Sequence, residues 1–217
     1  MIECKYVIMC GAKRRTLLER PNAGNFTEIN MSATSLLKGF FTVQEYYQMY
    51  EAGLFANGER VELIRGEIIK MSPIGRRHAA CVIRSSDVLT RRLGNRILLS
   101  VQNPLVLDNT SMPEPDIVLL KRKADFYESG LPQSADVILL IEVADSTIDS
   151  DRELKIPVYA EDGIAEVWLV DINHACIEVY RQPTSEGYQE LLKYYRGQTL
   201  SILAFPNVNI AVDEILG

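Results

Sequence analysis

Histidine, tryptophan and paired cysteines are scarce in this chain of 217 residues, which has two histidines, one tryptophan and four cysteines. Cys4, Cys10, Cys81 and Cys176 are scattered without a CxxC pair, so neither a disulfide framework nor a zinc knuckle follows, and reduced thiols are expected. With only His78 and His174 available, a histidine-rich metal site is excluded. There is no P-loop, no G-x-G-x-x-G, no G-x-S-x-G elbow and no H-E-x-x-H, which removes the commonest nucleotide-binding, serine-hydrolase and zinc-protease signatures. No stretch approaches about 20 apolar residues, so no membrane-spanning helix is expected. Tyr6–Met9 is too short for a signal-peptide core, and Lys13-Arg14-Arg15 follows it instead of preceding it. A cytoplasmic protein is the default expectation.

What remains has the composition of an ordinary globular protein, 47% hydrophobic and 24% charged. The length fits one α/β domain with a terminal extension. Residues 1–33 carry the loop signature Pro21-Asn22-Ala23-Gly24-Asn25 and read as an N-terminal extension or arm, with Met31 a plausible start; residues 34–217 read as the domain. The net charge of −6 argues against a protein that coats DNA generally. Yet between Arg76 and Arg96 there are six arginines and a single acid, Asp87.

Thr42 with Glu45 three residues on predicts a capping box that opens a helix through about Tyr50. Val61-Glu-Leu-Ile, Arg65-Gly66 and Glu67-Ile-Ile-Lys-Met predict a β-hairpin with the glycine in the turn. A helix is predicted over His78–Leu93, where Ala79, Val82, Ser86, Leu89 and Leu93 form the core stripe. Arg77, Arg84 and Arg91 recur at seven on its other side, either as a phosphate-facing ridge or as a solvated face. Strands are predicted at Ile97–Leu107, Asp116–Leu120 and Val137–Val143. A helix over Asp151–Glu161, interrupted or kinked at Pro157 and capped by Gly163, follows them. Further strands are predicted at Glu166–Ile172, Cys176–Arg181 and Tyr188–Tyr195, with His174 in an exposed turn and Trp168 in the core.

One residue contradicts its surroundings. Val137–Ala144 (Val-Ile-Leu-Leu-Ile-Glu-Val-Ala) reads as a strand covered on both faces, and Glu142 sits inside it. A buried carboxylate needs a compensating charge. A second apolar run begins with Asp116, held by Pro113-Glu114-Pro115. Two carboxylates entering two core strands point to one site and to a divalent cation.

These fragments, taken in order, resemble the Uma2 family of the PD-(D/E)XK nuclease superfamily. The matching text is Glu62-Leu-Ile-Arg-Gly-Glu67, Met71-Ser-Pro with His78 behind it, Pro115-Asp116-Ile-Val, and Ile141-Glu142-Val-Ala-Asp-Ser-Thr. Asp151-x-x-x-Lys155-x-x-x-Tyr159 and Gly163-Ile-Ala-Glu-Val-Trp-Leu-Val-Asp171 complete it. The resemblance covers about Phe41 to the C-terminus. It implies a restriction-endonuclease-like mixed β-sheet flanked by α-helices, with an added antiparallel strand meander. It also implies that Asp116 and Glu142 bind Mg²⁺ or Mn²⁺ with the carbonyl of Val143, that Glu67 supplies a further acid, and that His78 lies near it. The superfamily lysine is missing two residues after Glu142, where Ala144 stands; Lys155 is the implied substitute.

The activity this implies is Mg²⁺-dependent hydrolysis of phosphodiester bonds in DNA, by a protein that could be a homodimer. A fold does not fix a function. An inactive nuclease-fold module that binds nucleic acid or protein, and a hydrolase of another phosphoester, stay open on the sequence alone.

Overall fold

The computed structural model describes residues 40–55, 59–145 and 148–217. The proposed arm at residues 1–33 lies outside them. Among the described residues no helix is long and apolar enough to cross a membrane.

The first helix, α1 (Val43–Glu51), begins with the predicted capping box: Thr42 accepts from the Glu45 amide, and the Glu45 side chain accepts from the Thr42 amide. The predicted hairpin follows as β1 (Val61–Ile64) and β2 (Glu67–Lys70), with Ile64 opposite Glu67. Arg65 and Gly66 both have positive φ, 49° and 76°, the conformation that a two-residue type I′ turn demands. At Gly66 a Cβ would lie 2.6 Å from the Phe40 Cβ, so steric contact adds to the backbone cost. Gly66→Ala is therefore expected to destabilise the protein by about 2–3 kcal/mol, read as a lower urea midpoint at unchanged m-value.

Helix α2 (Arg76–Leu93) leads into the main sheet. Its strands are β3 (Leu98–Val101), β4 (Ile117–Leu120), β5 (Val137–Ala144), β6 (Glu166–Asp171), β7 (Cys176–Thr184) and β8 (Gly187–Tyr195), lying side by side in that order. Only β5 and β6 run parallel. The sheet is thus mixed but mostly antiparallel, with β6–β8 as the predicted meander. The parallel pair needs a crossover, and the helical segment between β5 and β6 provides it.

Alternation along β5 divides the core. Leu139, Ile141 and Val143 pack on the side of α2, the hairpin β9 (Thr199–Ile202) and β10 (Phe205–Ala211), and the last helix α5 (Val212–Leu216). Leu140 and Ala144 face the crossover helix, together with Tyr159. Glu142 shares that second face by the same alternation.

Two predicted elements are corrected. The strand expected over Ile97–Leu107 stops at Val101, because Gln102 adopts a positive φ of 52° and Pro104 has no N–H to give to a ladder. The helix expected over Asp151–Glu161 begins earlier, as α3 (Ile148–Ser150), and passes through a π-turn at Asp151–Lys155 before α4 (Ile156–Glu161). Pro157 sits in the first turn of α4, and its ring would crowd the carbonyl four residues back in a regular α-helix; the wider π-turn relieves that contact.

Candidate functional site

Strand β5 runs past the end of β4. The two pair only as far as Ile117 opposite Ile141, so the N–H of Val143 has no backbone partner on that side. The Asp116 carboxylate replaces the missing strand: its Oδ2 accepts from the Val143 amide at 2.9 Å. In an extended antiparallel edge a residue's N–H and C=O point the same way, so the Val143 carbonyl is directed into the same gap.

Asp116 is held by two more donors. His78 Nε2 lies 2.9 Å from Oδ2, and Gln102 Nε2 donates to Oδ1 at 3.1 Å. Burial alone would raise the Asp116 pKa, but the donors from His78, Gln102 and Val143 outweigh it and bring it below the ordinary value. His78 moves the other way, its pKa raised chiefly by the hydrogen bond to Asp116. Asp116 is an anion at neutral pH, and His78 is its clamp.

Glu142 is 3% exposed and faces a different environment. Its Oε1 accepts from Tyr159 Oη at 2.5 Å and from Lys155 Nζ at 3.3 Å. Its Oε2 takes a long 3.4 Å contact from the Asp116 amide. Burial pushes the Glu142 pKa up to about 8; Lys155 opposes this, while Asp116 and Asp151 reinforce it. Lys155 is 8% exposed and also lies 3.1 Å from Glu62 Oε2. Burial would discharge it, but Glu142, Glu62 and Asp151 hold its ammonium protonated, well above the ordinary lysine range. Tyr159 is fully buried, so it stays a neutral donor.

These groups line one cleft of about 390 Å³, with Glu62, His78, Asp116, Glu142, Val143, Asp151 and Lys155 on its walls. The structure thus brings together five of the residues singled out from the sequence: His78, Asp116, Glu142, Val143 and Lys155. The Ala144 gap is filled in space. Ala144 leaves room on the α4 side of β5, and Lys155 enters the same face from the π-turn.

Glu67 is not brought there. It is exposed on β2 and does not line the cleft. Glu62 takes that place. Strand β1 lies between β2 and the Met112 segment, to which Leu63 is bridged, so its side chains are buried, whereas β2 is an edge. Glu62, Asp151 and Tyr159 stand in the matching family text without an assigned role, and Gln102 is not singled out at all. Glu62 carried a usable signal, an acid inside the run Val61-Glu-Leu-Ile, the same oddity that singled out Glu142.

The arginine ridge is also redistributed. Arg91 pairs with Asp87 one turn away, and both are exposed. Arg84 donates to the carbonyls of Ile215 and Leu216, and Arg77 to Asp145 and Asn173.

The cleft's buried donors are oxygens: the carboxylates of Glu62, Asp116, Glu142 and Asp151 against one ammonium. That oxygen-rich set, with Glu142 Oε2 only weakly engaged, offers the donor type a hard divalent cation takes. Among the described residues no three acidic, histidine or cysteine side chains converge at ligand geometry. A cation here would have two side-chain carboxylates, Asp116 and Glu142, and the Val143 carbonyl as its protein ligands.

Comparison with known proteins gives the following. The sequence profile of the Uma2 family, described as "Putative restriction endonuclease", matches residues 43–213. A crystal structure from Anabaena variabilis ATCC 29413, described as a "putative nuclease belonging to DUF820", is similar with a TM-score of 0.61 and 17% identity, covering 81% of this chain and 97% of that one. At that identity the likeness speaks for the fold. Among curated proteins no sequence matches.

Proposed function

The chain belongs to the Uma2 family, and on that footing we propose that its cleft hydrolyses phosphodiester bonds of nucleic acid, with DNA the expected substrate and Mg²⁺ or Mn²⁺ the cofactor. The observation that carries this reading is the convergence of Asp116, just before β4, Glu142 in β5 and Lys155 in the π-turn on one cleft. Asp116, Glu142 and the Val143 carbonyl would hold the ion. A bound divalent cation supplies a water that is nucleophilic near neutral pH and counters charge growing on the phosphate.

The chain's own groups do the rest. Lys155, kept charged by three carboxylates, can orient the attacking water or meet a phosphate oxygen. Tyr159 and Lys155 both donate to Oε1 of Glu142, which turns Oε2 toward Asp116. His78 and Gln102 fix the Asp116 carboxylate against the Val143 amide. Glu62 secures Lys155 and accepts from the Glu114 amide at 3.2 Å.

Nicking of supercoiled plasmid with Mg²⁺ or Mn²⁺ tests the proposal, with RNA and a generic phosphodiester as parallel substrates. Asp116→Ala is expected to abolish cleavage. Glu62→Gln should slow it at least ~10-fold, by loosening Lys155, while Glu67→Gln stays within about twofold of wild type. Cleavage that survives Asp116→Ala sinks the site assignment. No cleavage of any nucleic acid under any divalent ion sinks the activity.

A further inference from the structure

A second cavity, about 340 Å³, is lined by four arginines, Arg76, Arg77, Arg84 and Arg196, with three apolar side chains and no carboxylate. On a chain of net charge −6 this concentration is not a background effect. Three of the arginines come from α2 and the fourth from the turn between β8 and β9, 112 positions further on than Arg84. That juxtaposition exists only in the fold.

Neutralisation of the four is incomplete. Arg77 pairs with Asp145 at 3.0 Å and Arg196 with Asp213 at 2.9 Å. Arg196 also reaches a carboxylate oxygen of the terminal Gly217 at 2.9 Å, a residue that lies beside Arg84 as well. Arg84 spends Nε and Nη2 on two main-chain carbonyls, which orient it without cancelling its charge. Arg76 makes no ion pair among the described residues and is exposed. Three carboxylates thus face four guanidinium groups, and none of them pairs with Arg76. The pocket adjoins the cleft, since Asp145 lines the cleft and its partner Arg77 lines the pocket.

We propose that this pocket binds backbone phosphate of the nucleic acid strand whose scissile bond lies in the cleft, flanking the site of cleavage. Forked guanidinium donors suit phosphate oxygens, and carbonyl-braced Arg84 is held ready for them. The pocket would anchor the strand without reading bases, since phosphate contacts position and do not specify. The inference rests on the nucleic-acid reading of the cleft.

The test is binding of a fluorescein-labelled DNA duplex to the full chain in EDTA, so that cleavage plays no part, over a range of salt concentrations. The double variant Arg76→Gln/Arg196→Gln is expected to weaken binding at least ~10-fold near 0.1 M salt. It should also flatten the plot of log K against log salt by about two units, one for each lost phosphate contact. Arg91→Gln, which removes a cation from the same helix outside the pocket, should leave the slope at its wild-type value. Melting temperature confirms that each variant is folded.

A wild-type slope in the double variant overturns the pocket while leaving the nuclease reading in place. An equal loss in Arg91→Gln overturns it in favour of a helix-wide ridge. Displacement of the duplex by millimolar inorganic phosphate at unchanged ionic strength makes the ligand a free anion and overturns the strand assignment. No duplex binding by the wild type overturns the pocket proposal, whether or not plasmid is nicked. Arginine-dependent binding without cleavage supports it and removes only the activity.

Discussion

Glutamine at position 142 is expected to yield a protein at least as stable as the wild type and without cleavage. In the metal-free protein Glu142 is an acid whose pKa burial raises to about 8, set beside Asp116 and Asp151. Glutamine keeps the shape and keeps an oxygen for Tyr159 and Lys155 to donate to, while removing a charge that the fold solvates poorly. Lys155 is not stranded, because Glu62 still lies 3.1 Å from it.

The sign of the pH dependence follows from the raised pKa. Between about 4.5 and 8 the folded wild type holds a proton that the unfolded chain releases, so its stability falls as pH rises through that window. The variant escapes this loss. Equal stability near pH 5 and an advantage of about 1–3 kcal/mol near pH 9 are expected by urea denaturation. Mg²⁺ should raise the melting temperature of the wild type, increasingly so above pH 8 where Glu142 has released its proton, and should leave the variant unmoved. Turnover should fall at least ~10³-fold. A variant that is destabilised at pH 9, or one that keeps its Mg²⁺ response, contradicts the assignment of Glu142.

Lys155→Met is expected to act in the opposite direction on stability. It removes the ammonium that Glu62 and Glu142 touch and that Asp151 supports. Breaking a buried ion pair from one side costs about 3–5 kcal/mol, because the partner charges stay behind. Glu142, whose raised pKa Lys155 opposes, then holds its proton more firmly, so the deficit should be smallest near pH 5 and widen toward pH 9. Cleavage should fall by a comparable factor to Glu142→Gln. The contrast is diagnostic: one variant loses activity while gaining stability at high pH, the other loses both. Equal deficits at pH 5 and pH 9 would show that Lys155 contributes packing alone.

Much of this was readable before any coordinates. Capping at Thr42, the Arg65-Gly66 turn and the double-sided burial of Val137–Ala144 are local properties, set by neighbours in sequence. Asp116 announced itself as an acid opening an apolar run, and Glu142 as an acid inside one. What stayed hidden depends on partners brought from afar. Glu62 and Glu67 flank the same hairpin turn, and only the Met112 segment, packed along β1, decides which is buried. Gln102 reaches Asp116 because its positive φ turns the chain at the end of β3. The heptad spacing of Arg77, Arg84 and Arg91 was real, but α5 claims Arg84 and Asp87 claims Arg91.

The crossover that delivers Lys155 also sets a timetable for the site. Asp116 and Glu142 leave the ribosome before Lys155, and the parallel pairing that seats the crossover on the sheet requires β6, which ends at Asp171. Until that strand has emerged, the two acids stand on a sheet fragment without their cation. A growing chain therefore carries an incomplete cleft until Asp171 has emerged, and the cleft is closed only as the protein commits to its fold.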